Sequence, residues 1–539
     1  MINLRRISQI LFLLLFIFLI LYPLSTHNLF FISNPLLALS AIVASRSFHL
    51  AFIATLTVIL ITVFLGRVFC GWVCPLGSTM DIFRKISNPK SSARGGSVRH
   101  GGSAVGMTEG TGEQKKDSIR QIPNNKSKNT NPKTHYLRQL KYFILLLIII
   151  TTIFGVNITG WFDPITIIFK SYALSIYPAM DYLLKSVINK IGLNSVSNPL
   201  NNIGILDNNN VLFHNSVIFF LILVGILLIT FYQSRFWCRN LCPLGALLAI
   251  LSKWRFLNLN INKNLCSECN RCLSVCKTGV FPTGSASGGN DDLSLNDEEC
   301  IQCFSCVKKC HPSTSLGING MVSLPNHKKA VSIGFSKNTS QGISILPSRR
   351  ELIIASAFSV LSVPLLQRSF LLKKESYIPR LRPPGAARSE KEFLSKCIRC
   401  GQCMKACPTN GLQPLLAENG LYAMFSPVLV PRIGNCRYYC NTCGQVCPSG
   451  AIPPMTLADK QQWQIGAAFI DTTRCIPYAD KKDCITCEEF CPVPEKAIRH
   501  SEKDGIKYPY VIKDQCIGCG LCENVCPVPG TAAIRVSPI

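Results

Sequence analysis

The chain has 539 residues, 48% of them hydrophobic and only 16% charged, and a formal net charge of +27. That length implies three or four units rather than one domain, and the composition leans toward a membrane protein. The positive excess gathers beside apolar stretches, with thirteen Lys/Arg against three acids from Arg84 to Lys141, so it reads as cytoplasmic loop charge under the positive-inside rule and nucleic-acid binding is set aside.

Met1–Ser8 is short and basic, and Ile10–Leu24 is almost unbroken Leu, Ile and Phe. No small-residue cleavage site follows, so this reads as a first membrane helix entering from the cytoplasm rather than a cleaved leader. Phe48–Leu65, Tyr142 to about Ile158, and Val211–Tyr232 are three further candidates, each near the ~20 residues that span a hydrocarbon core. Asn88–Pro132 is rich in Gly, Ser, Asn and Lys without apolar period; it reads as a disordered cytoplasmic linker. Leu193–Asn210, nearly free of Lys and Arg, suits a loop on the opposite face.

The apolar part is an internal repeat. Each half has a helix, an Asx-Pro step (Asn34-Pro35, Asp163-Pro164), a second helix and a C-x3-C-P-L-G signature, Cys70 to Gly77 and Cys238 to Gly245, each preceded by an arginine, Arg67 or Arg235. A duplication of this kind predicts a pseudo-twofold bundle with both signatures on the cytoplasmic face.

Twenty-eight cysteines in tight runs within a long chain read as metal ligation made in a reducing compartment, not as a disulfide scaffold. Cys266, Cys269, Cys272, Cys276 and Cys300, Cys303, Cys306, Cys310 have the spacing C-x2-C-x2-C-x3-C. Three cysteines wrap one cubane cluster and the fourth reaches its partner, so Cys276 should serve the second cluster and Cys310 the first. Structural zinc prefers separated pairs. Four more quartets follow: Cys397, Cys400, Cys403, Cys407; Cys436, Cys440, Cys443, Cys447; Cys475, Cys484, Cys487, Cys491; and Cys516, Cys519, Cys522, Cys526. Cys475 stands apart by a long gap. The expected nesting has the first of these sharing ligands with the fourth, and the second with the third. Six quartets imply six [4Fe-4S] clusters, two in the middle domain and four in the last. They leave Cys70, Cys74, Cys238 and Cys242, whose role is open between a seventh metal site, redox-active thiol pairs, a partner contact and a structural turn at the helix ends.

The paired C-x3-C-P-L-G signatures followed by a two-cluster ferredoxin resemble the NapH-type membrane polyferredoxins. The part from Ser348 through Leu381-Arg382-Pro383-Pro384-Gly385-Ala386 and the four quartets is similar to the NapG/MauM-type periplasmic ferredoxins. The chain thus looks like a fusion of the two. The resemblance implies passage of electrons from the quinol pool toward periplasmic reductases or cytochromes, with lipid and a quinone as membrane partners.

Ser348-Arg349-Arg350-Glu351-Leu352-Ile353 resembles a twin-arginine export signal, read by a translocase that moves folded proteins. Such a route would carry assembled clusters to the periplasm. His49 and His214, each opening a helix, and Asp163, at a reentrant-looking turn, are the candidates for taking protons from a quinol. No nucleophile triad, phosphate loop or dinucleotide fingerprint is present, so the chain reads as an electron carrier or oxidoreductase subunit without a substrate-converting site. A redox-sensing regulator, or a maturation factor for a respiratory metalloenzyme, is the other reading.

The fold expected is a membrane α-helical bundle, four helices in two repeats plus a fifth anchor helix, with α+β bacterial ferredoxin-like domains. Its units are 1–86 and 136–258 (repeats), 87–135 (linker), 259–325 (two-cluster domain), 326–347 (linker), 348–372 (anchor) and 373–539 (four-cluster domain). The protein is expected in a bacterial inner membrane. Its N-terminus, the basic linker and the 266–310 ferredoxin would be cytoplasmic, and the 397–526 ferredoxin periplasmic.

Overall fold

A computed structural model describes residues 2–21, 28–46, 53–87, 132–191, 213, 215–261, 271–281, 297–310, 331–335, 347–371, 380–416 and 421–539. The first repeat holds α1 (Ile2–Leu21), α2 (Pro35–Ser45), α3 (Ile53–Leu65) and α4 (Pro75–Ser87). The second holds α5 (Pro132–Ile153), α6 (Pro164–Ser171) continuing through a π-helical turn into α7 (Tyr177–Ile191), then α8 (Ser216–Tyr232) and α9 (Pro243–Leu251). A last long helix, α10, runs from Arg349 to Leu371.

Two helices, α2 and α6, are the structural product of the Asx-Pro steps. Proline at the first helical position fixes φ and needs no donor there, while the preceding Asx side chain caps the free N–H groups. Asn34 Oδ1 accepts from Leu36 N and Asp163 Oδ2 from Thr166 N. The two caps also meet each other: Asn34 Nδ2 donates to Asp163 Oδ1 at 2.7 Å, with both residues fully buried. The repeats are thereby joined through their short helices. The sequence reading took these stretches as steps between helices, and it placed the third long helix at Tyr142–Ile158, where α5 in fact occupies 132–153.

The bundle buries polar side chains within an apolar core and carries large apolar side chains on its outside. Asn34, Thr62, Thr151, Thr159 and Asp163 are fully buried, whereas Ile7, Leu11 and Leu14 on α1, Val217, Leu221 and Leu228 on α8, and Ile353, Phe358 and Leu361 on α10 are more than half exposed. Among the described residues, Leu4–Leu21 and Tyr136–Ile153 are long and apolar enough to cross a membrane.

The helix α10 lies against α5, and its start is set by a capping box. Ser348 Oγ accepts from Glu351 N, while Glu351 Oε2 accepts from Ser348 N. Glu351 Oε2 also accepts from Gln139 Nε2 near the start of α5, and further on Val363 is buried with Ile144 and Ile148. The two helices therefore run in the same direction, and the 23 residues of α10 extend about 34 Å at 1.5 Å per residue.

The ferredoxin parts are small antiparallel ladders and one-turn helices. Strands β1 (Leu257–Ile261) and β2 (Val331–Phe335) pair in the middle domain. In the last domain β3 (Leu412–Pro414) pairs with β4 (Pro427–Leu429), β5 (Ala467–Ile470) with β8 (Ile534–Ser537), and β6 (Ile498–Lys503) with β7 (Ile506–Val511).

Candidate metal centres

The last domain groups its cysteines into four sets, each taking three from one motif and a fourth from a neighbouring motif. Cys407 lines one pocket with Cys436, Cys440 and Cys443. Cys475, Cys484 and Cys487 line a second with Cys526. Cys516, Cys519 and Cys522 line a third with Cys491. Burial raises the thiols of Cys397, Cys400 and Cys403, and nearby Cys447 pushes them further.

This corrects the expected nesting. The first motif exchanges its fourth cysteine with the second, and the third with the fourth. The reason is local: β3 and β4 fold the chain back between the first two motifs, β6 and β7 do so between the last two, and closing a short loop costs less entropy than closing a long one. Cys475, the outlying cysteine, is brought to its set despite the gap.

The two halves of this domain abut through a backbone hydrogen bond, Cys436 N to Cys519 O at 2.8 Å. Gly520 packs on Pro431, and Arg432 donates to the Cys526 and Val528 carbonyls. The four sets therefore stand in series: that of Cys397, then Cys436, then Cys516, then Cys475.

In the middle domain Cys276 comes close enough to Cys300 and Cys306 to raise their thiol pKa, burial being the larger cause. Cys272 and Cys310 share the same apolar cluster. The predicted exchange of fourth cysteines is thus seen for Cys276. Cys266, Cys269, His49 and His214 lie outside the described residues. Asp163 is described, and its carboxylate is held by Asn34, Thr166 N and Thr166 Oγ1, which makes it first a helix cap.

Both ferredoxins dock on the bundle by one device. Gly71 faces the Ile301 carbonyl and Gly160 the Ile398 carbonyl so closely that a β-carbon at either glycine would overlap the oxygen. Each isoleucine follows the first cysteine of its motif, Cys300 or Cys397, and is followed by a residue at positive φ, Gln302 (49°) or Arg399 (54°). Around the first contact, Trp72 Nε1 donates to Gln302 O at 3.1 Å. Buried Glu299 accepts from Arg67 Nη1 at 2.6 Å, Lys141 Nζ at 2.5 Å and Tyr142 Oη at 2.7 Å. Burial alone would raise the Glu299 carboxyl, but Lys141 and Arg67 hold it down at about 2. Around the second contact, Tyr422 Oη donates to Gly155 O at 3.0 Å. Lys170 Nζ donates to Gly160 O at 2.8 Å and lies 4.8 Å from the centre of the Phe425 ring.

The signature cysteines, left open by the sequence, come together. Cys70, Cys74, Cys238 and Cys242 are buried free thiols within one hydrophobic core. Burial and mutual repulsion raise Cys74 and Cys242, and burial leaves Cys238 at about 11. The signatures repeat in backbone detail, Cys74 N donating to Phe69 O and Cys242 N to Trp237 O, both at 2.9 Å. These i→i+5 bonds are a form that recurs at functional sites.

Arranged in this way, quartets of buried and half-buried soft ligands lining shared pockets suit iron–sulfur clusters. Among the described residues no three His, Cys, Asp or Glu side chains are set to grip a single ion. The fold and these constellations define an iron–sulfur electron-transfer protein of the multi-cluster ferredoxin type.

Comparison with known proteins agrees. A "4Fe-4S binding domain" family matches residues 48–94 and 216–262, and a "4Fe-4S dicluster domain" family matches 396–451 and 482–529. A methylamine utilization ferredoxin-type protein MauM from Methylorubrum extorquens is 36% identical over 208 residues, covering 36% of this chain and 90% of the relative. The ferredoxin-type protein NapG of Escherichia coli is 36% identical over 170 residues, covering 30% and 71%. An uncharacterized protein of Methanocaldococcus jannaschii is 25% identical over 308 residues, covering 57% and 91%. No solved structure matches. The chain belongs to the NapG/MauM family of ferredoxin-type proteins.

Proposed function

We propose that residues 1–258 form a NapH-type membrane bundle, that α10 crosses the bilayer beside α5, and that the chain conducts electrons between the quinol pool and a periplasmic redox partner. The observation that carries this reading is the parallel packing of α10 on α5. The middle ferredoxin touches α5 at Lys141 and Tyr142, and the last ferredoxin touches the chain just past its end, at Gly155. Helical rise separates these points by about 20 Å. Helix α10 starts level with Gln139 and its far part packs on the Leu421–Ala423 turn of the last ferredoxin, so it delivers that domain to the opposite end.

Lipid accounts for the apolar outer surface of the bundle, since many exposed large apolar side chains suit hydrocarbon rather than water. The basic 84–141 segment then lies on the cytoplasmic side with the middle ferredoxin. Arg349 and Arg350 at the head of α10 direct folded export of the last domain. The partner is of the kind that MauM and NapG proteins serve, a periplasmic respiratory or methylamine-oxidising system. Proton release from the quinol falls to His49, His214 or Asp163.

Protease sites inserted ahead of Arg380 and within 282–290 test the topology. In spheroplasts, external protease should cut the first and spare the second. Protection of both sites overturns the reading, as does export that survives Arg349→Lys with Arg350→Lys.

A further inference from the structure

We infer that Cys70, Cys74, Cys238 and Cys242 hold one further iron–sulfur cluster, shared by the two repeats and lying between the docked ferredoxins. Each signature brings only two cysteines, too few for a cluster, and the two stretches that match a 4Fe-4S binding family, 48–94 and 216–262, contain no other cysteine. Only by closing on each other do the repeats supply four thiolates, the number that both [2Fe-2S] and [4Fe-4S] clusters take.

The surroundings are built for an anionic group. Each signature arginine crosses to the other repeat. Arg235 Nη1 donates to Cys70 O at 2.7 Å and packs over Gly77, where a β-carbon would lie 3.3 Å from the guanidinium. Arg67 Nη2 lies 2.8 Å from where a β-carbon on Gly245 would be. Arg67 is fully buried, and its Nε and Nη2 have no hydrogen-bond partner among the described residues. An unpaired buried guanidinium donor is costly, and here it stands beside Cys242. Cys242 Sγ in turn accepts from Gly245 N at 3.2 Å, at the start of α9. Arg67 and Arg235, ion-paired to Glu299 and Asp81, and the Gly245 N–H thus border the four sulfurs with donors of the kind that stabilise a thiolate-bound cluster.

Zinc fits less well, because a tetrahedral ion draws its sulfurs to within about 2.3 Å of one point, and no three candidate ligands are set for that.

The role rests on the function proposed above. The core that contains the four cysteines is continuous with Ile301 and Cys303 on one side and with Phe169, Ile398 and Cys400 on the other. Cys70, Cys74, Cys238 and Cys242 would hold a cluster that supplies a one-electron relay between the two ferredoxins, with no bond made or broken.

The test uses full-length protein purified without oxygen. Wild type should contain more iron and acid-labile sulfide than six cubanes supply. Cys70→Ser with Cys242→Ser should lose that excess and one reduced-state EPR signal, with the ferredoxin signals kept. Arg67→Met should keep the iron and shift that signal most, with a lesser change at the Cys300 set through Glu299, which covers the case of a double variant that fails to fold. Iron equal to six cubanes in wild type overturns the inference, as does stoichiometric zinc, or a disulfide found among the four by mass spectrometry. Metal content is read in detergent whatever the topology, so failure here is distinct from failure of the membrane reading.

Discussion

Gly160 approaches Ile398 as Gly71 approaches Ile301, so that each ferredoxin meets the bundle through a carbonyl seated on a residue without a side chain. Any β-carbon at these positions has backbone, not a movable side chain, in its way. Gly160→Ala should therefore loosen the last domain and Gly71→Ala the middle one, each by about 1–3 kcal/mol. Hydrogen exchange of 397–401 and of 299–303 reads the two effects separately; equal protection in wild type and variant would contradict the docking described.

The exchange of fourth cysteines gives a sharper expectation. Cys407→Ser should destroy the cluster of Cys436, Cys440 and Cys443 and leave that of Cys516, Cys519 and Cys522 intact. EPR of the reduced variant, with iron counted per chain, distinguishes this from the reverse nesting.

Glu299 stands between Arg67 and Lys141, all three nearly or fully buried. Replacing it with Ala leaves two buried cations facing each other and should cost about 3–5 kcal/mol. Limited proteolysis of the middle domain would show the release. Glu299→Gln keeps some hydrogen bonds and should fall between. Because this carboxyl is held at about 2, its contribution is complete above the ordinary glutamate range and declines only as pH drops toward 2.

Lys170 lies beside the cluster set of Cys397 and Cys400, with its stem against Gly401, and burial brings its pKa down to about 7. In its protonated form it stabilises the reduced, more negative cluster. Lys170→Met should lower the potential of that cluster, below the pH at which Lys170 loses its proton, by an amount on the order of 100 millivolts, the scale of one unit charge at short range in a medium of effective dielectric near 20. A potentiometric EPR titration measures it, and an unchanged midpoint would remove Lys170 from that role.

Asn34 and Asp163 cap two helices and bond to each other. Asp163→Leu removes a cap, worth about 1 kcal/mol, and strands the Asn34 amide, worth about 1–3 kcal/mol more. Thermal unfolding in detergent should fall accordingly, with Asp163→Asn much milder.

The cysteine runs were legible because cluster ligation demands fixed spacing, and the repeat was legible because its signatures agree residue by residue. The short helices α2 and α6 were not. Eight to eleven apolar residues carry too few turns to declare a period, and only the Asx-Pro steps marked their starts. Ser348 and Glu351 hid a capping box inside a stretch read for its arginines. The nesting of quartets failed for another reason: spacing names the ligands of a cluster but not which neighbour lends the fourth, and that choice was made by the β3–β4 and β6–β7 hairpins. The meeting of Cys70 with Cys238 needed tertiary structure altogether.

The hydrogen bond from Cys436 to Cys519 has one more consequence. It is the seam where one cluster pair meets the other, and Arg432 reaches across the same seam to the Cys526 carbonyl. A break there would part the outer pair from the inner one like a severed extension lead.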